Sequence, residues 1–321
     1  MPSLSPSCIG LPSLHDSSSS CQGPWLCSLR RSHVRMLCVF VLLVLGPVSV
    51  ACAAPILDVY FFDVDHGDAI LIQQGSTEWL IDTGYKHKWP NVDDCSSLFG
   101  VRIYAPLEHF ILTHDHEDHY SALPSVLCPC SIQTLHSSGG QSVSSRLEAE
   151  LRLSRQEPCD TAPPTQQPLG AGATAMLGGV GLQWTVLHPD IESPVASANT
   201  NDDSLVLLLT VGDVHFLFTG DLETARPDMA NWEIPSGVLI LKAPHHDDAS
   251  ALYDLLDLIQ PKPRLVIFST DAPVPAAVEV VAGIPFLSTS TSGWIHVRTD
   301  GATVWITTAA LSWEAVLRPA P

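Results

Sequence analysis

Short apolar runs alternate with polar turns along most of the chain after residue 55. The runs have strand length, are rich in Val, Ile, Leu and Phe, and end in Gly, Asp or His. This pattern is typical of β-strands whose closing loops gather at one edge of a sheet. It predicts strands at residues 57–64, 69–73, 79–82, 110–113, 182–187, 205–211, 215–219, 238–242 and 265–269, and a closing hairpin at 293–308.

Two segments have the period of an amphipathic helix, residues 142–155 and 249–259. Between them, the proline-rich residues 158–168 are predicted to be a loop. No repeat of fixed period interrupts this order. Strands interspersed with helices therefore predict a layered α/β sandwich with helices outside and sheets inside.

The N-terminal segment, residues 1–53, is predicted to be an extension that contains a signal peptide. Three arginines at 30, 31 and 35 precede a short apolar run, residues 36–45, and Gly-Pro and small residues follow it. That run is much shorter than the roughly 20 residues that cross a bilayer. We expect a secreted or periplasmic protein without an integral membrane span. A retained anchor is the alternative, and Met36 is a second candidate for the start. One domain is then predicted at 54–310, with a tail at 311–321.

The amino-acid composition favours a compact domain and argues against a nucleic-acid-binding protein. With 45% apolar residues the chain can fill a large core, and only 15% of its residues are charged. The net charge is −19, from 15 basic and 34 acidic residues, and such a surface repels a polyanion. We therefore expect no strong nucleic-acid binding.

Four cysteines remain after the predicted signal: Cys95, Cys128, Cys130 and Cys159. An even number in an exported protein permits two disulfides, with three possible pairings. Cys128 and Cys130 do not have a second thiol pair at zinc-ribbon spacing. Disulfides or buried thiols are thus expected in preference to a cysteine metal site.

The strongest chemical signal is ILTHDHEDHYSAL, where four metal-ligand types follow the end of an apolar run: His114, His116, Asp118 and His119. His-x-His can direct both imidazoles to one ion, and the following Asp-His pair can reach a second ion nearby. This spacing predicts a site for two metal ions.

Two further strand ends carry the same residue types. Asp221 follows the apolar run in FLFTGDLE and can bridge two cations. VLILKAP ends in His245 and His246, which can divide metal ligation and proton transfer between them. Five further Asp and His residues follow predicted strands, but the case for direct metal ligation is weaker for them. We expect them to orient the ligands by hydrogen bonding; they are Asp63, Asp65, His66, Asp68 and Asp82.

Several blocks together resemble the metallo-β-lactamase-fold domain at the C-terminal end of ComEC-type competence proteins. They are FFDVDHGDAILIQ, WLIDTG, LTHDHEDHYSAL, NDDSLVLLLTVGDVHFLFTGDLE, LILKAPHH and GWIHVRTDG. The resemblance covers nearly all of residues 57–301. It implies a single-domain αββα sandwich with a dinuclear, usually zinc, hydrolytic centre at one edge.

The resemblance also implies roles for individual residues. His114 and His116 would hold the first metal, Asp118 and His119 the second, and Asp221 would bridge them. A histidine of the 245/246 pair would complete the second site, and the pattern leaves open which one. Our working assignment makes His245 the ligand and His246, together with Asp118, the group that moves protons.

This chain departs from the family pattern at four points. His-His-Asp-Asp replaces the usual HHGS at 245–248, Asp65 replaces a glycine, and no histidine occurs in DAPVPAAVEVV after the strand at 265–269. The third ligand of the first metal has no clear counterpart; His188, Asp202 and Asp203 are the candidates.

These features predict an exported hydrolase in which two metal ions activate a water molecule. Zinc is expected, and Mn²⁺ or Fe²⁺ would suit the same ligands. A small molecule or a short phosphodiester is the expected substrate. The alternative is a secreted metal-binding or scaffold protein that keeps the fold but has degenerate activity. A third hypothesis, a DNA-uptake nuclease subunit, requires DNA binding that the negative charge opposes.

Overall fold

The structure, a computed structural model, describes residues 56–89, 97–104, 106–138, 164–172, 179–190, 200–274, 283–310 and 315–318. The predicted signal segment and the predicted helix at 142–155 lie outside these residues. In the part of the chain that is described, no helix is long and apolar enough to cross a bilayer.

Two mixed β-sheets form the centre of the domain. The large sheet has nine strands in the order β17-β16-β15-β1-β2-β3-β6-β7-β8, and the small sheet has six in the order β14-β13-β12-β11-β10-β9. The large sheet contains β1 (Leu57–Phe61), β2 (Ile70–Gln74), β3 (Thr77–Ile81), β6 (His109–Ile111), β7 (Thr134–Ser138), β8 (Thr165–Leu169), β15 (Ile295–Thr299), β16 (Val304–Thr308) and β17 (Ala315–Leu317). The small sheet contains β9 (Leu182–His188), β10 (Val206–Val211), β11 (Val214–Phe218), β12 (Val238–Lys242), β13 (Leu265–Phe268) and β14 (Phe286–Ser288).

Within the described residues, four α-helices accompany the sheets. They are α1 (Glu117–Tyr120), α2 (Leu123–Cys130), α3 (Ala249–Leu258) and α4 (Thr289–Ser292). The remaining elements are the two-stranded ribbon β4 (Ser97–Leu98) and β5 (Val101–Arg102) and the 3-10 turns Lys86–Lys88, Thr200–Asp203 and Pro227–Asn231.

Three apolar clusters define the layers. Side chains of both sheets fill the central cluster, among them Trp79 and Trp184. A second cluster packs α1 and α2 on the outer face of the large sheet, and a third packs α3 on the outer face of the small sheet. Because each sheet is covered on both faces, its strands are apolar on both sides. The predicted αββα sandwich is confirmed.

The predicted strands and the helix at 249–259 are present with small shifts of their ends, but the loop prediction for 158–168 is wrong at its end. Thr165–Leu169 forms β8 at the edge of the large sheet, paired in parallel with β7. Its first four residues are exposed, so it lacks the apolar pattern of a buried strand. Proline is tolerated there because an edge strand leaves one row of amides unpaired. Ala315–Leu317, in the predicted tail, pairs with β16.

Cys130, at the end of α2, is buried and disulfide-bonded. This agrees with the prediction that the cysteines form disulfides. Cys95 and Cys159 lie outside the described residues.

Parallel pairing aligns the strand ends that carry the chemistry. β3 and β6 are parallel neighbours in the large sheet. β11, β12 and β13 are parallel neighbours in the small sheet. In each set the carboxyl ends meet at one sheet edge, where polar loops collect.

Candidate metal centre

The His-x-His-x-Asp-His motif lies where strand β6 leaves the large sheet. β6 ends at Ile111, His114 follows in the loop, and α1 then carries Asp118 and His119. The rings of His114 and His119 are buried, and their centroids lie 4.2 Å apart. The turn from strand to helix therefore brings the two imidazoles together.

Four side chains from this motif and two strand ends of the small sheet form a compact set, which we call the Asp/His cluster: Asp118, His119, Asp221 and His246. Their ligand atoms lie within 4.8 Å of one another. Asp221 Oδ2 is 3.1 Å from His119 Nε2 and 3.1 Å from His246 Nε2. Asp118 Oδ2 is 3.5 Å from His246 Nε2 and 4.0 Å from His119 Nε2.

The cluster fits a divalent cation. Among the described residues, the Nε2 atoms of His114, His119 and His246 are buried and make no hydrogen bond. A buried polar atom without a partner costs about 1–3 kcal/mol, and an absent ion is a recognised reason for one. Ligands at about 2.0–2.1 Å from a tetrahedral Zn²⁺ lie about 3.3 Å from each other. The distances around Asp221 Oδ2 match that spacing.

A tight turn places Asp221. Strand β11 ends at Phe218, and Gly220 has a φ of 52°, in the left-handed region. A Cβ on Gly220 would come within 2.9 Å of the Ser204 side chain, so a glycine is required. Ser204 Oγ accepts a hydrogen bond from the Asp221 amide at 3.0 Å. The carboxylate is thus fixed by its own backbone.

Asp82, at the end of β3, orients His119. Its Oδ2 lies 2.7 Å from His119 Nδ1, and both of its oxygens also accept hydrogen bonds from Thr113, at 2.8 Å from the amide and 2.6 Å from the hydroxyl. A carboxylate on Nδ1 keeps that nitrogen protonated and leaves Nε2 free to bind metal. The hydrogen bond expected from Asp82 to a candidate ligand is thus present.

The structure separates the two adjacent histidines. His246 Nδ1 lies 2.8 Å from the Ser269 carbonyl oxygen, and its Nε2 points into the cluster. His245 instead lies outside the cluster, with Nδ1 3.1 Å from Glu223 Oε1 and 3.6 Å from Asp248 Oδ2. The sequence analysis had taken His245 as the ligand, whereas the geometry puts His246 in that position.

His114 and His116 lie beside the cluster. His114 Nε2 is 4.0 Å from Asp221 Oδ2, and the ring of His116 is 4.6 Å from that of His114. His116 Nε2 contacts the Thr200 hydroxyl. His114 is thus a neighbour of Asp221, whereas His116 contacts His114 and Thr200.

His188 and Asp202, two of the three residues considered as a further metal ligand, make contacts elsewhere. His188 bonds to the Asp202 carbonyl oxygen at 2.7 Å and to Arg226 Nη2 at 3.1 Å. Asp202 Oδ1 accepts hydrogen bonds from the amides of Glu223 and Thr224. Both residues fix the loops around the site.

Opposite charges shift the pKa values in the cluster. Burial lowers the pKa of His246, but Asp221 and Asp118 outweigh it and raise the pKa to about 9. Burial also opposes ionisation of Asp221, yet His119 and His246 hold its pKa well below the usual value. The pKa of His114 is well below 6.5 because of burial and the adjacent His119. Proton loss from His246 would therefore accompany metal binding.

A loop from the large sheet forms one side of the opening. The ring of His66 lies 4.2 Å from that of His246, and its Nδ1 is 3.8 Å from Asp271 Oδ1. The neighbouring Asp65 has a φ of 66°, and its carboxylate is 2.6 Å from Lys88 Nζ. This ion pair anchors the loop. The half-exposed His66 faces solvent beside the cluster.

Lys242 is part of the site and was missed by the sequence analysis. It is the last residue of β12, its side chain is fully buried, and its Nζ lies 2.5 Å from Asp68 Oδ2 and 3.6 Å from Asp221 Oδ1. Burial lowers its pKa, but Asp68 and Asp221 outweigh that effect and raise it. One sequence feature could have indicated it: Lys242 is the single charged residue in the otherwise apolar strand VLILK.

A comparison with protein families identifies the family of this chain. A family model described as the metallo-beta-lactamase superfamily matches residues 62–270. This is more than half of the chain, and the protein therefore belongs to the metallo-beta-lactamase superfamily. No curated protein matches the sequence significantly.

Solved structures of related fold were also found. Zn²⁺-bound PqqB from Methylobacterium extorquens is 13% identical with a TM-score of 0.43, over 69% of this chain and 84% of that one. CmlA from Streptomyces venezuelae, a diiron beta-hydroxylase, is 13% identical with a TM-score of 0.41, over 69% of this chain and 46% of that one. Unliganded yeast PDE1 is 9% identical with a TM-score of 0.43, over 73% and 97%. At these identities the likeness concerns the fold alone.

Proposed function

We propose that this protein is an exported metal-dependent hydrolase. The observation that carries the proposal is the convergence of two buried imidazole nitrogens on Asp221 Oδ2, at 3.1 Å for His119 and for His246. Divalent cations bound there would supply Lewis acidity and make a nearby water molecule more acidic.

The ligands divide into two sets around Asp221. Asp118, His119, Asp221 and His246 would hold one cation, since their ligand atoms share one space. His114 and His116 would hold a second cation together with Asp221. The ligand atoms of the four residues in the first set lie within 4.8 Å of one another, so we expect the first set to bind more tightly.

Asp118 is the member of the cluster best placed to handle a proton. Its side chain is 17% exposed, whereas those of His119 and His246 are fully buried. Burial opposes its ionisation, but the neighbouring His246 and His119 outweigh that effect and lower the pKa of Asp118. An ionised carboxylate at the solvent side can accept a hydrogen bond from the attacking water and orient it. His246 then serves as a ligand and not as the base.

The ligand types narrow the choice of metal. Imidazole and carboxylate ligands suit zinc, and manganese and iron bind the same types of group. Two bound zinc ions are our first expectation. Mn²⁺ and Fe²⁺ are the next metals to test.

The proposed substrate is a small molecule or a short phosphodiester. The resemblance to ComEC-type domains supports a phosphodiester, because the matching blocks include the whole metal motif. The net charge of −19 opposes long nucleic acids. Neutral esters, lactones and amides are therefore kept as substrates to test.

Export is supported by two features of the chain. The N-terminal segment has the order of charges and apolar residues that is typical of a signal peptide. The disulfide at Cys130 suits an oxidising compartment. We propose a cleaved signal and a secreted or periplasmic location.

A second candidate function is a secreted metal-binding scaffold without turnover. The engagement of His188 and Asp202 in loop contacts favours it, because an incomplete site at His114 and His116 would lower hydrolytic activity. Such a protein would bind metal through the Asp/His cluster alone.

Hydrolysis assays with the metal-loaded full chain separate these functions. Bis(p-nitrophenyl) phosphate, p-nitrophenyl acetate and a chromogenic β-lactam sample three bond types, each with Zn²⁺, Mn²⁺ or Fe²⁺. We expect turnover of at least one, reduced about 100-fold or more by Asp118→Asn and unchanged by Asp254→Asn, an exposed carboxylate on α3. Full metal content without any hydrolysis would favour the scaffold.

A further inference from the structure

Lys242 places a buried positive charge directly behind the Asp/His cluster. It ends strand β12, and its side chain is 0% exposed. A buried ammonium is retained only where several partners satisfy it, because transfer of an unpaired charge from water to the interior is very costly. The partners of this lysine therefore indicate its role.

Three groups surround the Lys242 ammonium. Asp68 Oδ2 lies at 2.5 Å, the Gly220 carbonyl oxygen at 3.0 Å and Asp221 Oδ1 at 3.6 Å. Gly220 and Asp221 are consecutive residues of the turn after β11, the parallel neighbour of β12. Lys242 thus holds both the backbone and the side chain of that turn.

The two oxygens of Asp221 face different partners. Oδ1 is on the Lys242 side and makes no hydrogen bond within the described part of the chain. Oδ2 faces His119 Nε2 and His246 Nε2, both at 3.1 Å. A carboxylate held in this way presents one oxygen to the ligand space and keeps the other turned away.

We propose that Lys242 is a positioning residue of the metal centre, which fixes Asp221 so that only Oδ2 binds metal. This inference rests on the proposed function, since it requires that the cluster binds a cation. Lys242 would touch neither substrate nor metal. Its effect passes through the turn and carboxylate that it holds.

A purely structural role is the rival explanation. In that case Lys242 neutralises the buried Asp68, and the Asp221 contact is incidental. Removal of the lysine alone cannot separate the two, because it leaves Asp68 buried and unpaired, which is strongly destabilising. Removal of both partners keeps the charge balanced. The variants are therefore Lys242→Met and the double variant Asp68→Asn/Lys242→Met.

Co²⁺ is the probe, because its absorption spectrum reports the number and geometry of its ligands. Full-length wild type, the two variants and the control Lys262→Met, an exposed lysine, are titrated with Co²⁺ alone. Circular dichroism checks that each protein is folded. Loss of a group that orients a metal ligand lowers metal affinity by about 10–100-fold.

We expect the double variant to bind Co²⁺ about 10–100-fold more weakly than wild type and with an altered spectrum. Lys262→Met should match wild type. A folded double variant with wild-type affinity and spectrum would overturn the role of Lys242 while leaving the metal site intact. Absence of Co²⁺ binding by wild type would overturn the metal site and the inference together.

A second measurement does not depend on the folding of the variants. A crystal structure of the Co²⁺-loaded wild type should show Asp221 coordinated through Oδ2, with Lys242 still beside Oδ1. A bond between the metal and Oδ1 would overturn the inference.

Discussion

His119 Nε2 and Asp221 Oδ2 lie 3.1 Å apart, and both side chains are buried. The spacing is close to that of two ligands on one small cation, about 3.3 Å. The nitrogen is also buried and has Asp82 on the opposite side of its ring. This pair of atoms is the simplest local indication that the site binds metal.

His246 and His245 should differ sharply in their effect on metal binding. His246→Ala removes a ring nitrogen from the cluster, so metal retention after dialysis should fall at least tenfold. His245→Ala removes a ring that faces Glu223 and Asp248, so retention should stay near that of wild type. Equal losses in the two variants would show that the structure assigns the wrong histidine.

Asp82→Asn should weaken metal binding without removing a ligand. The amide group can donate to His119 Nδ1, which favours the tautomer whose Nε2 carries the proton and cannot bind metal. We expect about 10–100-fold lower affinity for Zn²⁺ in competition with a chromophoric chelator. Asp65→Asn is the matched control, because Asp65 contacts Lys88 and His87 instead. Unchanged affinity in Asp82→Asn would contradict the role given to this hydrogen bond.

Gly67→Ala should disturb the cluster through the backbone. A Cβ at Gly67 would lie 2.5 Å from the Asp118 carbonyl oxygen, so helix α1 must move. Overpacking of this kind costs about 1–3 kcal/mol, which urea unfolding can measure, and metal retention should fall with it. Gly75→Ala is the control for backbone strain alone, since its φ of 64° also disfavours alanine but nothing lies within 4 Å of its Cβ. A Gly67→Ala protein as stable as Gly75→Ala would contradict this packing.

A histidine pair away from the cluster should make stability depend on pH. Burial and the adjacent His109 lower the pKa of His136 to about 4, against about 6.5 in an unfolded chain. Between these values the unfolded chain binds more protons, so the free energy of unfolding falls as the pH drops from about 6.5 to 4, by an amount on the order of 1–3 kcal/mol.

The variant His136→Gln isolates this effect. Urea unfolding at pH 7, 5.5 and 4.5 should show a smaller loss of stability for the variant than for wild type, because other groups titrate equally in both. His87→Gln, an exposed histidine, should retain the wild-type slope. Parallel curves for wild type and His136→Gln would rule out the buried pair as the cause.

The order of strands and the place of the chemistry could be predicted from the sequence. Apolar runs that end in His or Asp locate His114 and Asp221 just after strand ends. The choice between His245 and His246 could not be predicted. Both are histidines with left-handed backbone, at φ of 44° and 55°. No sequence pattern therefore separates the ring that enters the cluster from the one that does not.

Features set by tertiary contacts also escaped the sequence analysis. Thr165–Leu169 becomes a strand because β7 offers a free edge, and its own residues are mostly exposed. Lys242 has no neighbouring acid in the chain; Asp68 and Asp221 reach it from other strands. A lone charge in a strand buried on both faces is a usable signal for such a network, because it must be paired.

The central claim is that Asp221 joins a metal-binding cluster, and metal analysis of the full-length protein tests it most directly. Inductively coupled plasma mass spectrometry of wild type and Asp221→Ala, each loaded with Zn²⁺ and then dialysed, gives the number of ions per chain. We expect at least about one equivalent in wild type and less than about a tenth of that in the variant. Wild-type protein with no stoichiometric metal, or a variant that retains as much metal as wild type, would contradict the account.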